Sequence, residues 1–214
     1  MSDNTPTGAR TLRPVGWLES LKVYREPATL RMLALGFSAG LPLLLVLGTL
    51  SFRLREAGVD LATIGYLSWV GLAYAFKWAW APLVDRLPLP LLTRALGRRR
   101  SWLLLSQAAI IGGLAGMAWF DPKFDRTTVA LFALLVAFAS ATQDIALDAF
   151  RIESADVDRQ GALAATYQTG YRLAMIWAGA GVFWVAARAE VVGAGTYQHE
   201  AWRTAYLVMA ASML

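Results

Sequence analysis

Long apolar runs alternate with short polar ones along this chain, and run length limits what each can be. A helix rises about 1.5 Å per residue, so crossing about 30 Å of hydrocarbon takes roughly 20 consecutive apolar residues. Five runs meet that requirement: Leu30–Ser51, Leu61–Ala81, Ser101–Phe120, Val129–Phe150 and Leu163–Ala187. A sixth opens near Trp202 and reaches Leu214 after 13 residues, too few to span. The pattern predicts an all-α integral membrane protein, with a polar tail over residues 1–29 and a transmembrane helix bundle over 30–214. The short sixth run is expected to be the start of a helix belonging to a longer chain.

Composition agrees with lipid as the solvent. Of 214 residues, 57% are hydrophobic and 16% charged, with mean hydropathy +0.46, against about 25% charged in soluble domains. The net charge of +5 does not suggest nucleic acid, because the basic residues lie beside the apolar runs rather than on one face. The tail and the loops after the second and fourth runs hold eleven Lys and Arg, while the opposite loops hold five, Arg53 and Arg55 among them. The positive-inside rule then places the N-terminus and the Pro82–Arg100 loop in the cytoplasm. The tail has no continuous apolar core, so no signal peptide is read there. Cysteine is absent and His199, in a polar loop, is the single histidine. No metal site or cofactor is expected from such a set.

Ionisable residues inside the runs carry the chemistry, since a charge at a helix centre costs about 2.5–3.5 kcal/mol on insertion scales. Beyond Arg31 at the very start of the first run there are four: Lys77, Asp144, Asp148 and Arg172. Asp144 and Asp148 share one face of helix four, and Gln168 precedes Arg172 by one turn of helix five. Two cations and two anions form a neutral set, which suits either a proton or substrate relay or a fixed ion-pair network. Gln143 offers amide donors and an acceptor to a sugar or peptide. Tyr74 could join the same cavity, and Tyr167 and Tyr171 flank the Gln168–Arg172 face. Small residues at four-residue spacing, Gly36 with Gly40 and Gly112 with Gly116, suit close helix packing. Gly40 and Pro42 predict a bend in helix one. In the cytoplasmic loop, Asp85 and Arg86 followed by Gly97, Arg98, Arg99 and Arg100 suggest a releasable latch, with Arg151 its expected partner on helix four. The alternative is that the arginines only anchor the helix.

Asp85-Arg86 with Gly97-Arg98-Arg99-Arg100 resembles the loop signature of the major facilitator superfamily, with Ala81 at the first glycine position and about ten residues inserted between the two parts. Further stretches narrow the likeness: Gly36-Phe37-Ser38-Ala39-Gly40-Leu41-Pro42, Thr63-Ile64-Gly65, Phe76-Lys77-Trp78-Ala79-Trp80-Ala81-Pro82, Ala141-Thr142-Gln143-Asp144-Ile145-Ala146-Leu147-Asp148-Ala149 and Gly170-Tyr171-Arg172. From Leu30 to Ala187 the chain resembles the AmpG-type muropeptide permeases. The eukaryotic acetyl-CoA transporters share part of the pattern.

The resemblance implies twelve helices in two six-helix halves, of which this would be the amino-terminal one, with a cavity between them. It implies a proton symporter of the bacterial inner membrane. Such a protein imports N-acetylglucosaminyl-anhydro-N-acetylmuramic acid, with or without its peptide, for peptidoglycan recycling and β-lactamase induction. The implied partners are that glycopeptide, protons, membrane lipid and the other half. Lys77, Gln143, Asp144, Asp148 and Arg172 fall on the family's charged and amide positions. Two other classes stay open on residues alone, a membrane-embedded enzyme using Asp144 and Asp148 and a non-transporting assembly subunit.

Overall fold

The computed structural model describes residues 23–154, 157–191 and 197–214. Most of the expected tail, and the Asp156 and Asp158 side chains, fall outside the described residues. Every regular element among the described residues is helical. We number them α1 (Pro27–Glu56), α2 (Leu61–Ala75), α3 (Ala81–Arg86), α4 (Leu92–Leu96), α5 (Arg98–Trp119), α6 (Arg126–Glu153), α7 (Arg159–Ala189) and α8 (His199–Ala211). Four of them, α1, α5, α6 and α7, are long and apolar enough to cross a membrane. The core between them includes Leu41, Leu45, Ile110, Leu114, Val136 and Ala174, all fully buried. Outward, Trp69, Trp78, Leu131 and Trp184 are exposed, as a lipid-facing surface permits.

Several helices outrun their apolar segments. α1 continues past Ser51 to Glu56 and α6 past Phe150 to Glu153, because backbone hydrogen bonding does not stop where hydrocarbon does. The second run behaves differently. Instead of one helix over Leu61–Ala81, α2 ends at Ala75, a 3-10 turn occupies Lys77–Ala79, and α3 starts at Ala81. Pro82 explains the interruption: it has no N–H for the Trp78 carbonyl, and its ring excludes that carbonyl from the helical position. The chain restarts from the Trp80 carbonyl, which accepts from the N–H groups of Leu83 and Val84 at 3.0 and 3.2 Å. At its other end α2 is capped by Asp60, which accepts from the Thr63 hydroxyl at 2.6 Å and the Thr63 N–H at 2.9 Å. Those bonds, the hydroxyl one foremost, hold the Asp60 carboxyl below the usual aspartate range.

The closest helix contact is between α1 and α7, and glycine makes it possible. A Cβ on Gly36 would overlap the Tyr167 carbonyl, one on Gly40 the Tyr171 carbonyl, and one on Gly170 the Leu33 carbonyl. Backbone therefore lies on backbone, where dispersion rather than hydrophobicity holds helices together in lipid. The π-helical turns at Leu45–Thr49 and Trp177–Gly181 face each other across the same contact, and the Thr49 hydroxyl donates to the Ala178 carbonyl at 3.0 Å. The first π turn follows Pro42 directly, and α1 runs through that proline without ending. On α5 the packing pair is Gly113 and Gly116, set against Val136 and Phe132 of α6. The expected partner position Gly112 faces open space, because α5 turns its 113 side toward α6.

Gly40→Ala is expected to lower stability by about 1–3 kcal/mol through overpacking. Gly112→Ala should be neutral or stabilising by up to about 1 kcal/mol. Thermal unfolding of the two variants in detergent checks the contrast.

Candidate functional site

The interruption of the second run sets Lys77 in the 3-10 turn, opposite the middle of α6. Its ammonium lies 3.8 Å from Asp144 Oδ2. Asp144 is about 14 Å along the helix axis from Glu153 at about 1.5 Å per residue, deep in the span. Its side chain is 17% exposed and that of Lys77 39%. The other carboxylate oxygen, Oδ1, is buried with no hydrogen-bond partner. At 3.8 Å the pair is attracted but not hydrogen-bonded, so neither group is saturated. Trp80 fixes the turn against α6. Its indole N–H donates to the Thr142 hydroxyl at 3.1 Å and its ring sits 5.0 Å from Phe138.

Tyrosines complete the neighbourhood. The Tyr74 hydroxyl is buried within electrostatic reach of Asp144. Tyr167 and Tyr171 of α7 stand 6.2 Å apart, centroid to centroid, and reach this face only because Gly36 and Gly40 let α7 approach α1.

The remaining expected residues distribute unevenly. Asp148 does not pair with Lys77; it sits 3.4 Å from Arg151 one turn on, whose guanidinium lies 5.7 Å from the Tyr167 ring centroid. Arg172 and Gln168 are exposed on α7. Arg172 makes no ion pair among the described residues, and its one polar contact is with Met175 Sδ at 3.8 Å. The four charges thus do not form one neutral quartet: Lys77 pairs with Asp144, Asp148 pairs with Arg151, and the Arg172 guanidinium stands in neither pair. Gln143 turns away from the open face. It is fully buried and its amide donates to the Ser38 hydroxyl at 3.0 Å, tying α6 to α1.

The latch at the basic end has a different centre from the one expected. Arg99 bridges Asp85 at 2.5 Å and Glu153 at 3.0 Å, joining α3, α5 and α6. Arg151, the expected partner, is committed to Asp148 because it lies on another face of α6 from Glu153. Arg86, Arg98 and Arg100 are exposed and make no ion pair among the described residues. Gly97 starts α5 at φ +79°, a left-handed backbone that favours glycine. Sequence reasoning missed Glu153, Trp80, Ser38 and above all Arg53. Arg53 lies past the first apolar run, with the loop cations, yet it is fully buried at the end of α1. His199, read as a loop residue, opens α8 beside it. Hydropathy gives no signal that separates a buried arginine near a membrane edge from an anchoring one.

Four spanning helices, a broken second helix and an ion pair within the span make an all-α multi-pass bundle, consistent with an amino-terminal half of the major facilitator type. The comparisons make the class specific. The chain is 40% identical over 166 residues to the anhydromuropeptide permease of Escherichia coli K12, covering 78% of this chain and 33% of that protein. It is 33% identical over 189 residues to the putative transporter AmpG 4 of Rickettsia felis, covering 88% of this chain and 43% of that protein. With the putative transporter AmpG 4 of Rickettsia conorii it shares 35% identity over 172 residues, or 80% of this chain and 41% of the other. A family model described as acetyl-coenzyme A transporter 1 matches residues 29–118. The chain is a multi-pass sequence of the inner membrane, similar over most of its length to AmpG-type permeases, and it spans about a third to two fifths of the length of these relatives. The enzyme alternative finds no counterpart among these names, which are those of transporters and permeases.

Arg99→Gln should lower the unfolding midpoint on the order of 2–6 °C, since it leaves two carboxylates without their shared cation. Arg98→Gln and Arg100→Gln should shift it by less than about 1 °C. Thermal scans of the three variants at one salt concentration test this.

Proposed function

We propose that the chain is the amino-terminal half of a proton-coupled importer of anhydromuropeptides. The cargo would be N-acetylglucosaminyl-anhydro-N-acetylmuramic acid with or without peptide, and Asp144 would be the proton carrier. The observation that supports this most is the Lys77–Asp144 pair: close, unsaturated and set deep in the span. Protonating Asp144 removes the anion that Lys77 faces and frees the ammonium for an anionic cargo. Release of the proton restores the pair. Asp148 and Arg151, one turn nearer the cytoplasm, give the proton an onward carboxylate.

The free Arg172 guanidinium is the cargo's second anchor in this reading, because its planar fork suits a carboxylate in two parallel bonds. Gln168 beside it offers donors and an acceptor to sugar hydroxyls or peptide, and the rings of Tyr74 and Tyr171 wall the space between. Gln143 has a supporting role, holding α6 on α1 through Ser38. The Arg99 bridge closes the cytoplasmic end when Asp85 and Glu153 are both engaged.

The family model matched over residues 29–118 supplies the competing cargo, acetyl-CoA, also an anion. Uptake into proteoliposomes of the full-length protein separates the two. Labelled anhydromuropeptide should accumulate when the inside is alkaline, and labelled acetyl-CoA should not. Asp144→Asn should abolish accumulation while leaving exchange of cargo down its own gradient. Arg172→Gln should raise KM roughly tenfold, as loss of a charge-assisted bond worth about 1.5–3 kcal/mol predicts. Unchanged gradient-driven uptake in the Asp144→Asn, Asp148→Asn double variant would sink the proposal.

A further inference from the structure

The starts of α1, α5 and α7 and the end of α6 enclose a cavity of about 370 Å³, at the end of the bundle that carries the basic loops. Met32, Phe150 and Leu163 give it an apolar wall, and Met32 and Leu163 are almost wholly buried. Arg31, Arg100 and Glu153 give it charge. The transport pair lies elsewhere, since Glu153 is about 14 Å further along α6 than Asp144 at about 1.5 Å per residue.

The two cations that line the cavity are uncommitted. Arg100 makes no ion pair among the described residues. Arg31 donates from Nε to the Pro27 carbonyl of its own helix at 3.1 Å, and it too makes no ion pair among the described residues. The carboxylates of this end are already engaged. Glu153 is held by Arg99 at 3.0 Å, Asp85 by the same guanidinium, and Glu26 by Arg159 at 2.9 Å. The negative end of the α6 dipole is covered as well, because the Gln160 amide donates to the Ile152 carbonyl at 3.0 Å and to that of Arg151 at 3.4 Å. Arg31, Arg99 and Arg100 therefore stand against Asp85 and Glu153 alone, which leaves the cavity net positive.

Depth narrows the ligand class. Arg31 is the second residue of the apolar run that opens at Leu30, and Arg100 directly precedes the run that opens at Ser101. Both guanidinium groups thus belong to the level at which hydrocarbon gives way to headgroups, with Met32 and Leu163 just inside it. A guanidinium fork bonds a phosphate through two parallel N–H groups. Basic pockets between transmembrane helices hold acidic headgroups by this chemistry.

We propose that Arg31 and Arg100 bind one phosphate group in this cavity, carried by an acidic phospholipid or free in solution. In the lipid form, Met32, Phe150 and Leu163 pack against its hydrocarbon. A phosphate held by both arginines ties α1 to α5, and it stabilises the bundle by mass action.

The test uses the purified full-length protein in nanodiscs of phosphatidylcholine, alone or mixed with phosphatidylglycerol. Native mass spectrometry of protein released from the mixed discs should show phosphatidylglycerol retained in preference to phosphatidylcholine. Arg31→Gln and Arg100→Gln should each weaken that retention about fivefold, as removal of one cation near a membrane surface predicts. Arg98→Gln, which removes an arginine of α5 outside the cavity, should leave it unchanged. All three side chains are exposed, so the variants should unfold at the wild-type midpoint in phosphatidylcholine discs. Inorganic phosphate forms the second arm. Displacement of phosphatidylglycerol by it means that the phosphate group is recognised whatever carries it, and lipid that stays bound means that the acidic lipid is the ligand. Equal retention of the two lipids, with a phosphate-raised midpoint that both cavity variants abolish, makes free phosphate the ligand. Equal retention with no effect of phosphate, or a loss in Arg98→Gln as large as in the cavity variants, would overturn the site.

Discussion

The backbone contact between α1 and α7 is the constraint on which the rest of the bundle depends. Gly36, Gly40 and Gly170 are placed so that any side-chain atom would meet a carbonyl of the other helix. In a solvent as apolar as the side chains, helices gain nothing by hiding leucine from lipid, so close packing has to supply the attraction. The contact also sets position. It brings Tyr167 and Tyr171 alongside Asp144, turns Arg172 to the open face, and aligns the two π turns whose spare carbonyl Thr49 satisfies.

A second constraint is the treatment of charge. The bundle deals with its buried and half-buried ions in three ways. Within the span Lys77 and Asp144 are left attracted but unsaturated, a state that a proton or an anionic cargo can alter. At the cytoplasmic end Arg99 is shared by two carboxylates on two elements, which suits a junction that must hold and release. At the periplasmic end Arg53 has no carboxylate among the described residues and relies on helix-end carbonyls, a ring and one imidazole nitrogen. The proposed transport cycle draws on the first two.

Much of this was legible in the sequence. Run length gave the four spanning helices, and the expense of charge in lipid singled out Lys77 and Asp144. What was not legible depended on direction. Hydropathy cannot say that Pro82 breaks the second run at Lys77, because the residues on both sides are equally apolar. The spacing of Asp144 and Asp148 puts them on one face but does not say that Arg151, rather than Lys77, takes Asp148. Gln143 sits beside Asp144 in sequence, yet about 100° of helical rotation sends it into α1 instead of the cavity. Arg53 and Arg55 read alike as loop cations until packing buries one of them.

The proton site is tested most directly by infrared difference spectroscopy of the full-length protein in membranes, with and without anhydromuropeptide, across a pH titration. Asp144 as the proton carrier predicts a carboxyl C=O band that changes with ligand and is missing from Asp144→Asn. The same band persisting unchanged in that variant, or a spectrum in which ligand moves no carboxyl band, would contradict it.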